Sequence, residues 1–239
     1  MGTPLNHILD RNGMDRDGAT AYAEYFATDD PEKRNPHYPT YGTIGTEEGS
    51  SNCANYVSQC LVEGGGLQPV VGQWYMSPKT DPVGSSNEFK VTAKIVSLLF
   101  GFDVHYNAQD PNYNVFVSST WNNANDQYIF FSNPKNGYIN GDVIEINAAN
   151  AIPIGRNSGI QPGDILYWDY DGDGLMDHVT IVTGIDKNGD ILYSGNSEKR
   201  RNQSLSEILQ DNQDYKLYLI KLNDSVFGRT MWDYICFEE

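Results

Sequence analysis

The chain has 239 residues, of which 39% are hydrophobic and 12% aromatic, enough for one sizeable core and against a disordered chain. Its 16 basic and 32 acidic residues leave a formal net charge of −16, which repels phosphate backbones and anionic lipid heads and argues against nucleic-acid and membrane-surface partners. No apolar run approaches the ~20 residues that span a bilayer, and Met1 to His7 is too polar for a secretion signal.

In chain order, Asp17 to Ala27 sets Ala19, Tyr22, Ala23 and Phe26 at helical spacing. Asn35-Pro36-His37-Tyr38-Pro39 breaks the chain, because each proline disfavours helix in the residue before it. A polar loop over Gly42 to Ser51 then feeds a second predicted helix that starts at Cys53. Its apolar positions are Val57, Cys60 and Leu61, and Gly64-Gly65-Gly66 ends it. A third helix is predicted from Glu88 to Phe100. The stretch Asn107 to Gly141 reads as elaborated loop with one short helix near Trp121.

Strand signals follow. They are Asp142 to Ile146, then Asp164 to Trp168 after the turn Gln161-Pro162-Gly163, and the nearly continuous apolar run Val179 to Ile185. Asp186 to Asp190 carries Asn-Gly at a hairpin tip. Ile191 to Ser194 returns beside the run, and Tyr215 to Leu222 adds a strand. Helices first and an antiparallel sheet second predict a single α+β domain over residues 1–239, with an elaborated segment at about 66–160.

Cys53 lies where the polar loop gives way to the apolar helix. A thiol at a helix start sits at the positive end of the backbone dipole, which favours thiolate, and its own N–H is open to an oxyanion. The commoner role of a helical cysteine is a small buried hydrophobe, and Cys60, two turns further in, keeps that role. Cys53 and Cys60 are about 10 Å apart along a helix axis, too far for a disulfide. Three cysteines imply no disulfide framework, and Cys236 is left buried or free.

Among four histidines, His178 opens the apolar strand after an acidic loop. His7, His37 and His105 are the competitors, in a terminus, between prolines and on a strand with no polar orienter nearby. The hairpin after His178 returns Asn196, whose amide would hold the imidazole in the useful tautomer, with Ser194 and Ser197 as alternatives. Asn52 and Gln59 flank the cysteine as oxyanion or supporting residues. In Asp169-Tyr170-Asp171-Gly172-Asp173-Gly174-Leu175-Met176-Asp177, the acids Asp169, Asp171, Asp173 and Asp177 match the start of a calcium loop, although the twelfth place is Thr180 rather than glutamate. The same acids also suit a solvated turn.

Asn52-Cys53-Ala54-Asn55-Tyr56-Val57-Ser58-Gln59-Cys60-Leu61, with Gly64-Gly65, resembles the signature of the Putative amidase domain family. Gly163 to Leu166, Gly172 to Gly174, Asp177-His178 and Ile181 to Gly184 resemble its later block. Tyr22-Ala23 with Asn35 to Tyr38 is similar to its N-terminal block. The resemblance covers about 17–65 and 160–222. It implies a papain-like fold related to NlpC-type and CHAP cell-wall cysteine peptidases and amidases, with Cys53 as nucleophile and His178 as base. The family usually has Asp before the cysteine, here Asn52, and often a further His where this chain has Asn196.

The expected function is a cysteine-dependent hydrolase of amide or peptide bonds, with peptidoglycan as the substrate that the family suggests. It would require no cofactor, take calcium at the acidic loop, and work outside the cell or at the wall. Three alternatives share the sequence: a papain-like protease or transferase effector acting on a protein, a non-catalytic binding module, and a calcium-dependent structural or adhesion module. Trp74, Tyr75, Trp121 and Tyr128 suit either a cleft wall or the core.

Overall fold

The computed structural model describes residues 13–41, 52–70, 73–76, 102–106, 114–196 and 200–226. The predicted helix over Glu88 to Phe100 lies outside them, as do His7, Ser197 and Cys236. Helix α1 (Arg16–Phe26) starts at Asp15, whose carboxylate accepts the Gly18 N–H, and buries Ala19 and Ala23. Helix α2 (Cys53–Gln59) carries the cysteine motif, and every one of its residues is buried.

Where the sequence predicted one helix ended by glycines, α2 runs directly into a π turn over Cys60–Gly64. The wider turn lets the chain meet α1 at closest approach, since Gly18 and Gly64 face each other with no room for a Cβ on either.

Strand β1 (Phe102–Tyr106), which includes the predicted strand of His105, pairs antiparallel with β2 (Asn114–Ser118), which lies within the stretch read as loop. Two helices follow, α3 (Ser119–Asn122) and α4 (Ala124–Ser132), where one was predicted. The rest builds the main sheet: β3 (Ile144–Ile146), α5 (Ala151–Asn157), β4 (Ile165–Asp169), β5 (His178–Ile185), β6 (Ile191–Gly195), β7 (Arg200–Ser204), α6 (Leu205–Asp211) and β8 (Lys216–Ile220). Strand order is β3-β8-β4-β5-β6-β7, and every pair is antiparallel. The fold is α+β as predicted.

Each face of the sheet has its own core. One places Ile165, Tyr167, Val179 and Ile181 against α1, α2 and α4; the other gathers Leu166, Trp168, Val182, Leu217 and Leu219 with Leu205 and Leu209 of α6. Strand alternation divides these residues. Trp74 and Trp121 stack with ring centroids 4.9 Å apart and are fully buried, so they belong to the core rather than to a cleft wall. Tyr128 is half-buried against Tyr167 and Tyr218.

Candidate functional site

Cys53 begins α2, and Asn52 precedes it as the helix cap residue. The Asn52 side chain does not cap the helix. Its Oδ1 accepts from the Tyr41 N–H at 3.0 Å and from Asn55 Nδ2 at 2.9 Å, which pins the incoming loop to the helix mouth. Asn55 also donates to the Pro39 carbonyl at 2.9 Å. Asn52 therefore supports the cysteine turn, and no negative charge is needed for that work.

The remaining polar residues of α2 are each satisfied. Ser58 Oγ receives Trp74 Nε1 at 3.0 Å and Gln127 Nε2 at 2.8 Å, and donates to the Trp121 carbonyl at 3.0 Å. Trp121 Nε1 donates to Asn55 Oδ1 at 2.9 Å. Gln59 Oε1 accepts from the Tyr22 hydroxyl at 2.8 Å, and that hydroxyl accepts from Asn35 Nδ2 at 2.8 Å. Gln59 is thus committed to the α1 interface, about 9 Å along the axis from Cys53, and not to the helix mouth. Such complete pairing is what a helix buried on all sides requires.

Cys53 is 1% exposed, and its nearness to Tyr167 adds to the rise of that phenol, after burial and Tyr128. No disulfide joins Cys53 and Cys60. The Cys60 thiol is raised by burial, in keeping with a packing role.

Helix α2 packs on β5, the strand that His178 opens. The imidazole stacks on Tyr170, with centroids 6.2 Å apart and planes 20° apart, and lies beside Trp168 at 6.4 Å. Trp168 Nε1 donates to Thr180 Oγ1 at 2.9 Å. His178, Trp168 and Thr180 thus share one side of the sheet, whereas Tyr167 and Val179, in the core of Cys53, are on the other. Burial, then the Arg200 charge, lowers the His178 pKa to about 4, so the ring is neutral at pH 7.

No hydrogen bond joins Asn196 Oδ1 to this ring. A Cβ on Gly195 would lie 3.8 Å from His178 Nε2, so Gly195 takes the position beside the imidazole. Asn196 Oδ1 is buried and has no hydrogen-bond partner among the described residues.

The acidic loop brings carboxylate oxygens of Asp169, Asp171 and Asp177 within 4.8 Å of one another. Asp169 is fully buried and accepts the Gly172 and Gly174 N–H groups, while Asp177 accepts from the Tyr170 N–H. Asp173 is outside this group, its carboxylate accepting from the Leu175 N–H at 2.8 Å. Three of the four predicted ligands are together.

One pairing that sequence reasoning missed is Arg34, whose Nη2 donates to the Asn196 carbonyl at 3.1 Å although the residues are far apart in sequence. An arginine beside Asn-Pro in a loop reads as solvated, and nothing local marks it as buried.

Among the described residues no helix is long and apolar enough to cross a membrane. A relative in Bacillus subtilis (strain 168), uncharacterized protein YhbB, is 27% identical over 179 residues, 72% of this chain. The chain spans 38% of that relative's length. No solved structure matches. The family model described as Putative amidase domain matches residues 13–220, which take in α1, the cysteine helix and the whole main sheet. The chain belongs to the Putative amidase domain family.

Proposed function

We propose that this chain is a papain-like cysteine hydrolase of amide bonds, with Cys53 as nucleophile and His178 as base. The observation that carries the reading is the start of α2 at Cys53 with that helix packed on β5, whose first residue is His178. The neutral imidazole supports it, since only that form can take the thiol proton. His178 is at the strand end and on the side of the sheet away from Tyr167 and Val179, so the dyad requires its ring to reach past that end to the helix mouth.

Cys53 thiolate attacks the carbonyl carbon, and the oxygen gains charge next to the open N–H groups at the helix start. The imidazolium gives its proton to the leaving amine as the C–N bond breaks. Water then cleaves the thioester, returning the thiol and a carboxylic acid. Peptidoglycan peptide or amide bonds are the substrate we favour, and such a substrate would set the protein at work at the cell wall. The loop of Asp169, Asp171 and Asp177 would take calcium as a support of the His178 strand.

The test is digestion of purified cell walls with scoring of new amines, alongside Cys53→Ala. Amine release that falls by several orders of magnitude in the variant, with the fold retained, is the expected result. Retained turnover in Cys53→Ala ends the nucleophile assignment. A Cys53 inert to iodoacetamide near neutral pH favours a binding module. Release of amines from a protein substrate but not from walls favours an effector protease.

A further inference from the structure

Arg34 is 8% exposed in a chain with twice as many acids as bases, yet among the described residues no carboxylate pairs with it. Its Nη2 donates to the Asn196 carbonyl at 3.1 Å, while Nε and Nη1 are buried without a partner among the described residues. The neighbouring acids do not serve it. Asp30 is bound to Lys33 at 2.8 Å and accepts the Glu32 N–H at 3.1 Å. Asp29 and Asp30 act on the guanidinium only through their charge, and burial, the larger effect, works against the cation.

Beside this cation, Asn196 is 3% exposed, and its Oδ1 is also buried without a partner among the described residues. A buried guanidinium with open donors on one residue, and an open acceptor on the next, is costly to maintain for folding alone. The loop that carries Arg34 goes on to Pro39 and Tyr41, which Asn55 and Asn52 fasten to the mouth of the Cys53 helix.

We infer that Arg34 and Asn196 form a binding subsite for a carboxylate that has an amide N–H next to it, as at an acidic or C-terminal residue of a peptide. The planar guanidinium takes the carboxylate through paired N–H donors, and Asn196 Oδ1 accepts the ligand's N–H. A neutral amide leaves the buried cation unmet, and a simple anion leaves the Asn196 oxygen unmet. Both are discriminated against by the groups they strand. This rests on the amidase reading and narrows it to substrates with a free carboxylate close to the site.

The test uses the full chain as Cys53→Ala, so that binding is read without turnover. N-acetylalanine, N-acetylalanine methylamide, acetate and chloride are titrated while the Arg34 Nε–H resonance is followed by NMR, with Arg34→Lys for assignment. N-acetylalanine should give a saturable shift and bind at least about tenfold tighter than the methylamide or acetate, as a charge-assisted forked contact implies. Arg34→Lys should lose about tenfold of that affinity. Asn196→Ala should bind N-acetylalanine no better than acetate. Non-saturating shifts, or equal shifts with the methylamide or chloride, overturn the proposal. Carboxylate selectivity in a protein with no hydrolysis keeps the subsite and removes the hydrolase reading, whereas hydrolysis without selectivity does the reverse.

Discussion

Gly18 of α1 and Gly64 of the π turn meet backbone to backbone, so that a Cβ built on Gly64 would stand 2.6 Å from the Gly18 carbonyl oxygen. The reverse contact, from Gly18 to the Gly64 carbonyl, is tighter still. Neither obstacle is the end of a flexible side chain, so neither can turn aside. Gly64→Ala should therefore separate α1 from α2 and cost about 1–3 kcal/mol in urea unfolding. Unchanged stability would mean that the two helices slide freely.

A second prediction concerns Arg16. Its Nη1 donates to Asp164 Oδ1 at 2.9 Å and to the Pro162 carbonyl at 2.7 Å, and Nη2 donates to the Leu222 carbonyl at 3.1 Å and to Asp224 at 2.6 Å. Asp164 is 1% exposed, and burial raises its pKa despite this partner. Arg16→Met strands that carboxylate and should destabilise the fold by about 3 kcal/mol at pH 7. Measured by denaturant midpoint, a loss well under 1 kcal/mol would show that solvent reaches Asp164 easily.

His178 gives stability a pH dependence. Its ordinary value of 6.5 falls to about 4 on folding, so between these limits the unfolded chain takes up a proton that the folded one refuses. The contribution is complete above pH 6.5 and is lost as pH falls toward 4, with an upper limit of about 3 kcal/mol. His178→Gln should flatten the slope of stability against pH in this window relative to the wild type. Parallel slopes in the two proteins would place the proton elsewhere.

Calcium should raise the melting temperature by a few degrees and chelator should reverse this, as binding to the folded form alone requires. Asp171→Asn and Asp177→Asn should remove the response, and Asp173→Asn should leave it in place, because Asp173 is outside the carboxylate cluster. A response lost only in Asp173→Asn would contradict this arrangement.

The strong periodic signals were legible in the sequence. Helix α1, the β4 to β6 strands and the Asn-Gly turn at Asn188 and Gly189 are where alternation, capping and turn chemistry put them. Strand β7 was not, since Arg200 to Ser204 is polar throughout and is an edge strand held by pairing to β6. Helix α6 carries a readable signal: Ser204 caps it by accepting the Glu207 N–H, the pattern of serine followed three places on by glutamate.

In the candidate site, Cys53 and His178 were legible as residue types on the right elements. The setting of each ring and amide was not. Gly195 closes β6 beside the imidazole and Asn196 begins the turn after it, a boundary set by strand pairing and not by residue type. Gln59 looked like a neighbour of the thiol because it is near in sequence, yet Tyr22 of another helix claims its oxygen.

The Arg16 hydrogen bonds have a topological consequence. They tie the start of α1 to Leu222 and Asp224, just beyond the last strand, so the folded unit opens and closes at one corner. Polypeptide joined at either side would leave from neighbouring points, and the unit can sit within a longer chain as a pendant insert without drawing its two halves apart.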